Sequence, residues 1–446
     1  MSKLKFEDVF NTVFESVSSR GFISEALENH TIVKSKDSAF PSAPLHESEY
    51  KIQQLIRPYF GKQGANSSQI GTPSDFKHLE HQRNSSEKHY IVTLFVDIKG
   101  STRLSLLKEI EDVYQFKNAV IQTCIEVIRS LDGQVHRIMG DAVMAFFGSK
   151  STCKEDAIAD AVNCSVVLRA LLENSIKPFM EQQGWEAKDI GFRVGIEFGD
   201  TNEVLWAAYG YAGVSEVTAT GFPIDMASKL QGQASKNDTM LGQGLLGFVN
   251  WPDEYSKVKL VQRNGESKEL EFVQPNITDA NGKPINYVMR LLNYNKCLKY
   301  SALPTNVKEK LTQGIVIHNE NINFKCYTYI DGKKEEYISA SKFLEKNIDL
   351  IFEVSANTQV FRCPLTIKLT KINYGPEVPD DGSGKPEPKQ IGKISVNNGG
   401  RNQSSTWKSV SEFEGTSYRG LHTMQCEVYD NANHLKYRNT IAVLIK

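Results

Sequence analysis

An α+β fold in more than one compact unit is what this sequence predicts. The first reason is order. Between residues 89 and 198 the patterns run strand, helix, hairpin, helix, strand, which lets consecutive elements build a mostly antiparallel sheet with helices on one face. The second is texture: beyond roughly residue 310 the periodicity changes to short alternating runs separated by turn clusters, as in a β-rich and immunoglobulin-like sandwich. The third is size, since 446 residues exceed one ordinary domain.

Residues 1–87 read as an N-terminal helical appendage followed by a flexible linker. Phe6, Val9, Phe10, Val13, Phe14 and Val17 keep helical spacing, the pattern continues less regularly to IQQLIRPYF, and Pro58 predicts a helix end. From Gly61 to Lys88, Gly, Ser, Asn, Gln and charged residues take over, the composition of a flexible connection.

A second unit is expected over residues 88–300. His89–Val96 is almost continuously β-branched or apolar, as in a strand buried on both faces. Ser101–Leu131 places Leu104, Leu107, Val113, Phe116, Val120, Cys124, Val127 and Leu131 near a helical period, one long amphipathic helix that Gly133 stops. Gln134–Met139 and Ala142–Phe147 flank Gly140 and Asp141 as a tight hairpin. Thr152-Cys153-Lys154-Glu155 has the spacing of a capping box before a second long helix, and Ile190–Phe198 reads as the next strand.

The third unit, residues 310–446, contains strand patterns at Asn323–Tyr329, Ile348–Val354, Thr366–Ile372, Ile394–Val396, His422–Tyr429 and Thr440–Ile445. Pro376–Gln390 is rich in Pro, Gly and charge and reads as a long exposed loop.

Composition excludes several classes. Lys and Arg total 52 against 53 Asp and Glu, so no bulk attraction to nucleic acid or an anionic membrane is implied. The start, MSKLKFEDVF, lacks an unbroken apolar core, and no run of about 18 apolar residues occurs, so a cytoplasmic protein without membrane insertion is expected. The 7 cysteines are scattered without C-x-x-C spacing, which argues against a disulfide framework or a structural zinc site. Gly242–Gly247 fits G-x-G-x-x-G without its flanking elements, and Gly382–Lys385 lacks the P-loop spacing, so neither reads as a nucleotide loop.

Chemistry concentrates at two aspartates, each behind an apolar strand: Asp97 in FVDIKGST and Asp141 in MGDAVMAFF. Magnesium or manganese takes oxygen ligands and commonly only one or two carboxylates besides phosphate oxygens, so two aspartates meeting at strand edges suffice. Lys99, Gly100, Ser101 and Thr102 then offer backbone N–H groups at a helix N-terminus to a phosphate. The bland alternatives are a helix N-cap for Asp97 and a turn residue for Asp141.

FVDIKGST, a long helix and RIMGDAVMAFF together resemble the catalytic signature of class III adenylate and guanylate cyclases, over roughly Tyr90 to Leu292. The resemblance implies a ferredoxin-like catalytic domain, two divalent ions at Asp97, Ile98 and Asp141, and a homodimer with active sites at its interface. GFPIDMASKL, Gly221–Leu230, looks like the family's G-N-T-V-N-x-A-S-R-L helix, which implies catalytic positions at Asp225 and Lys229 where the family has Asn and Arg. An exposed Asp225–Lys229 ion pair is the competing reading, given their i, i+4 spacing. Base recognition maps onto Arg137 and Thr218, which form neither the adenylate pair (Lys, Asp) nor the guanylate pair (Glu, Cys). Arg with Thr suits a pyrimidine's acceptors, although Arg137 also fits a surface strand position.

The architecture as a whole resembles bacterial Pycsar cyclases, in which a C-terminal cyclase fusion sensor domain follows the catalytic unit. That implies cyclic CMP made from CTP, with cyclic UMP from UTP as the alternative, in antiphage defence. It further implies a separate effector that reads the product and a phage-derived trigger at the C-terminal unit. An adenylate cyclase, or a degenerate nucleotide-binding signalling module, are the remaining alternatives.

Overall fold

The computed structural model describes residues 4–28, 50–80, 85–211, 214–263, 265–273, 278, 281–283, 286–395 and 406–446. In chain order the helices are α1 (Val9–Glu28), α2 (Lys51–Ile56), α3 (Ser101–Leu107), α4 (Ile110–Ser130), α5 (Lys154–Leu171), α6 (Lys177–Gln182), α7 (Phe222–Gln233), α8 (Gln243–Phe248), α9 (Tyr294–Tyr300) and α10 (Thr305–Leu311). The strands of the first part are β1 (Ser86–Lys88), β2 (Ile91–Lys99), β3 (Gln134–Met139), β4 (Ala142–Phe147), β5 (Gly191–Gly199), β6 (Leu205–Tyr211), β7 (Val214–Thr220), β8 (Asp238–Gly242), β9 (Ser256–Lys257), β10 (Lys259–Arg263), β11 (Glu266–Leu270) and β12 (Met289–Leu292). Those of the second are β13 (Ile322–Ile330), β14 (Lys333–Tyr337), β15 (Phe343–Leu344), β16 (Asp349–Asn357), β17 (Leu365–Ile372), β18 (Glu387–Ile394), β19 (Trp407–Gly415), β20 (Gly420–Tyr429) and β21 (Leu435–Ile445).

A seven-stranded sheet, β3-β4-β2-β5-β8-β12-β9, organises the first part, antiparallel except at β5–β8. β2 is buried from Ile91 to Ile98. Its even-numbered Val92, Leu94, Val96 and Ile98 join the core of α4 and α5. Its odd-numbered Ile91 and Phe95 join Trp206, Ile224 and Ala227. A strand with no polar face requires cover on both sides, so the helices lie on both faces rather than the one expected.

Four local expectations are corrected. The single helix over Ser101–Leu131 is two, α3 and α4, because Lys108 and Glu109 are extended; Glu111 and Asp112 favour a fresh N-terminus there. The capping box does not form: Cys153 is the N-cap without a side-chain bond, and the Thr152 hydroxyl pairs with Ser149 at 2.8 Å. The linker is packed along its described parts, 61–80 and 85–88, the latter including β1 paired with β6. Phe76 stacks on Trp206 at 3.9 Å, the Gly71 N–H donates to Val135 at 3.0 Å, and the Thr72 hydroxyl donates to Val217 at 3.0 Å. Lastly, the loop over Pro376–Gln390 gives way to strand at Glu387; β18 is a sheet edge, where Pro388 removes no needed ladder bond.

The appendage packs as well, with Phe10 edge-on to Phe116 at 5.6 Å and to Phe179 at 5.0 Å. The expected stretches at 29–49 and 81–84, and Val396 of the expected strand Ile394–Val396, lie outside the described residues. The C-terminal part is a sandwich of sheets β14-β13-β16-β19 and β15-β21-β20-β17-β18 around Phe352, Ile367 and Val428. It meets α5 directly: Asn163 Nδ2 donates to the Ala340 carbonyl at 2.8 Å, and the Phe343 N–H donates to Asp156 at 2.7 Å.

Glu197 on β5 is fully buried. Its carboxylate accepts the N–H groups of Phe198 and Leu245, each at 2.8 Å, and the Tyr287 hydroxyl at 2.7 Å, fastening the start of α8 to the sheet. Burial pushes its carboxyl up to about 7. A carboxyl whose folded-state value lies above its unfolded value holds the extra proton only in the folded chain, so stability is lost as pH rises through that interval. Urea denaturation is therefore expected to show stability falling between about pH 5 and 7 and levelling above, with Glu197→Gln flattening that slope. An unchanged slope in the variant refutes this assignment.

Candidate active site

Two clusters form where sequence reasoning placed chemistry. The first lies at the end of β2. The antiparallel register pairs Asp97 with Ala142 on one side and with Arg193 on the other. Asp141, in the β3–β4 turn, is thereby set beside Asp97, and its carbonyl accepts the Ile98 N–H at 3.3 Å. Asp97 is only 8% exposed, and a carboxylate so placed requires a partner. Arg193 supplies it, Nε donating to Oδ2 at 2.8 Å and Nη2 to the same oxygen.

Asp141 Oδ2 accepts the Ser101 hydroxyl and lies 4.0 Å from Lys117 Nζ. Gly100 joins β2 to α3 with φ 90°, and an added Cβ would stand 2.4 Å from the Asp189 carbonyl oxygen, so glycine is required there. Lys99 and Thr102 are exposed at the rim while Ser101 is buried. Asp97, Ile98, Asp141 and Ser101 are thus brought together. Their oxygen donors fit a hard divalent cation, and no group of three or more His, Cys, Asp or Glu able to hold a metal occurs among the described residues.

Arg193 was missed in the sequence. Its signal is a lone basic residue in the otherwise apolar stretch Phe192–Ile196.

The second cluster joins β3 to β7. A register shift between Val135 and Arg137 marks a β-bulge at His136, and a bulge re-aims side chains from the strict alternation of a strand. Both His136 and Arg137 consequently reach β7. Arg137 Nε donates to Glu216 Oε1 at 2.9 Å, and Nη2 donates to Oε2. That hydrogen bond from Arg137 is the main cause holding the Glu216 carboxyl below its ordinary range.

The Thr218 hydroxyl lies 2.9 Å from His136 Nε2, and His136 Nδ1 lies 3.3 Å from the Gly71 carbonyl. Burial lowers the His136 pKa. Nδ1 thus faces the Gly71 carbonyl, and Nε2 faces both the Thr218 hydroxyl and, at 3.3 Å, Glu216 Oε1. Arg137 and Thr218 therefore share one site. His136 and Glu216 are additions: the bulge left no trace in the sequence, whereas Glu216 stands two residues before Thr218, on the same side of the strand.

Asp225 and Lys229 occupy exposed positions on α7. Among the described residues no ion pair joins them, so the competing reading of an intrahelical pair is not formed. Nor does a hydrogen bond or ion pair join either to Asp97 or Asp141 in the same chain. α7 sits tightly on β5 because Gly195 has no side chain; a Cβ there would lie 2.3 Å from the Gln231 nitrogen.

Comparison with known proteins identifies the family. A family described as "Adenylyl/Guanylyl and SMODS C-terminal sensor domain" matches residues 294–446. A cytidylate cyclase of Escherichia coli is 38% identical over 99% of this chain and 100% of its own length. A cytidylate cyclase of Staphylococcus aureus is 34% identical over 84% of this chain and 83% of its own. A second Escherichia coli cytidylate cyclase is 31% identical over 99% of this chain and 90% of its own. With relatives of that identity aligned almost end to end, the chain belongs to the cytidylate cyclase family, Pycsar-like cyclases that carry a C-terminal sensor domain.

Proposed function

We propose that this chain is a cytidylate cyclase that converts CTP to 3′,5′-cyclic CMP and pyrophosphate. The observation that carries the reading is the meeting of Asp97 and Asp141 at adjacent strand ends, beside Arg193, in a chain of this family. The bond formed joins the ribose 3′-oxygen to the α-phosphorus as the 3′-hydroxyl proton passes to solvent, and the bond broken is the one from that phosphorus to the bridging oxygen, which leaves with its electron pair as pyrophosphate. Magnesium or manganese ions, held by Asp97, Asp141 and Ile98, would supply neutralisation of the triphosphate charge.

The chain's own groups do the rest. The N–H groups from Lys99 to Thr102 line the phosphate path, and Arg193 offers a guanidinium beside it. Arg137 and Thr218 read the base. Asp225 and Lys229 orient the ribose and balance charge at phosphorus, Lys keeping the charge of the family's Arg without its planar fork.

Because neither Asp225 nor Lys229 touches the aspartates of its own chain, we place the complete site between two copies. Leu106, Leu107, Ile110 and Tyr114, which are 57% to 82% exposed on α3 and the start of α4, are apolar side chains that suit such an interface.

No helix among the described residues is long and apolar enough to cross a membrane; the cytoplasm is the compartment that a CTP substrate implies. In this reading the cyclic nucleotide is a second messenger of antiphage defence, read by a separate effector. The sensor domain, packed on α5, receives a phage-derived trigger.

Three measurements test the proposal. Purified protein given equimolar ATP, GTP, CTP and UTP with Mn²⁺ or Mg²⁺ is expected to yield cyclic CMP by mass spectrometry; predominant cyclic UMP or cyclic AMP moves the substrate assignment. Asp97→Ala and Asp141→Ala are each expected to abolish turnover, with the melting temperature of the more exposed Asp141 variant unchanged; retained cyclisation in either defeats the two-metal reading. Mixing inactive Asp97→Ala with inactive Lys229→Ala is expected to restore about a quarter of wild-type activity, since half the dimers would hold one intact site of two. No recovery despite subunit exchange contradicts a shared site.

A further inference from the structure

The β3–β7 cluster contains more than the two base-reading positions require. Arg137 and Glu216 meet side by side, with side chains 42% and 43% exposed, so the outer edge of the pair faces solvent. Only two of the guanidinium's N–H directions go to Glu216; Oε1 also lies 3.3 Å from His136 Nε2, so Oε2 is the carboxylate oxygen that keeps a lone pair for a ligand. The pair thus presents donors directly beside an acceptor. Thr218 adds to the same side, its hydroxyl oxygen 2.9 Å from His136 Nε2.

We infer that Glu216 is a specificity-determining residue for the base, its carboxylate accepting the exocyclic amine of cytosine while Arg137 donates to the ring's O2 and N3. This rests on the reading of the chain as a CTP cyclase and deepens it. Cytosine's edge runs acceptor, acceptor, donor through O2, N3 and the amine, which matches a guanidinium flanked by a carboxylate. Uracil held the same way sets its O4 against the carboxylate and its N3–H against the guanidinium, leaving two buried polar contacts unpaired or repulsive. Adenine offers a similar acceptor and amine on a larger ring, so ATP belongs in the test.

The lowered Glu216 pKa keeps the carboxylate ionised, and hence acceptor-only, throughout the neutral range. The fork to Arg137 fixes the rotamers of both side chains before substrate arrives, so little side-chain freedom is lost on binding.

The test compares kcat/KM for CTP, UTP and ATP in the full-length protein with Glu216→Gln and Glu216→Ala. Gln keeps the size of Glu but can turn an NH2 donor toward a carbonyl. For Glu216→Gln, CTP efficiency is expected to fall on the order of 100-fold with UTP falling much less, so that the CTP-to-UTP ratio drops at least about 10-fold. Glu216→Ala should lose the same preference without gaining any for UTP. Glu216 is at the surface, and a thermal melt matching wild type shows that the fold is kept in each variant.

An equal loss for CTP and UTP in both variants overturns the inference, because Glu216 then only braces Arg137. So does an unchanged ratio in an active variant. If the wild-type chain itself makes no cyclic CMP, the functional proposal fails first and the inference goes with it, an outcome distinct from the other two.

Discussion

The site depends on one constraint: β2 is the interior strand of a sheet, hydrogen-bonded to β4 on one edge and β5 on the other. Eight buried positions in a row fix its register, because a slip of one residue would turn each apolar side chain to the wrong face. With the register fixed, Asp97 has no freedom of placement. It lies opposite Arg193 and next to the turn that carries Asp141. Hydrophobic packing, which knows nothing of nucleotides, therefore sets the geometry of the charged groups.

The same economy explains α5. Its residues are buried almost all round, Ala157, Ile158, Ala161, Val162, Val166 and Leu168 among them, and it has no broad solvent face. A helix of that kind needs cover on every side. The catalytic sheet provides one side, and the C-terminal sandwich provides another through Ala340, Leu421, Ala442 and Leu444, which join the core of β2 and α4. The polar residues of α5 serve this arrangement: Asn163 and Asp156 bind backbone groups near β15, and Asp160 pairs with Lys62 at 2.9 Å. The two parts of the chain are one packed body around this helix.

What the sequence revealed was what is locally encoded. The hairpin at Gln134–Met139 and Ala142–Phe147 was legible because its alternation and its Gly140-Asp141 turn lie within a few residues of each other. The strand behind Asp97 was legible from its unbroken apolar run, and the sandwich strands from their period of two. Several of the failures involve partners distant in the chain. Residues 61–80 look like a solvated linker by composition, yet their backbone groups bond to Val135 and Val217 and Phe76 stacks on Trp206. The break between α3 and α4 was hidden because Leu104, Leu107 and Val113 keep nearly helical spacing across it. Arg193 is meaningful only once β5 lies beside Asp97.

The two halves of the proposed site differ in how they are made. The Asp97 half is built from register within a buried sheet, where a substitution disturbs packing on both faces. The half proposed to read the base is built on a bulge at His136 and on β7, the far strand of the β1-β6-β7 ribbon, whose Ser215 and Glu216 are exposed. A surface substitution away from buried networks usually costs little stability. If Arg137 and Glu216 read the base as proposed, changes there can accordingly alter which edge is read while Asp97, Asp141 and Arg193 stay where β2 puts them. His136 is the exception within that half: buried, and bonded to Gly71 and Thr218 alike, it holds the bulge that lets neighbouring residues reach β7 together.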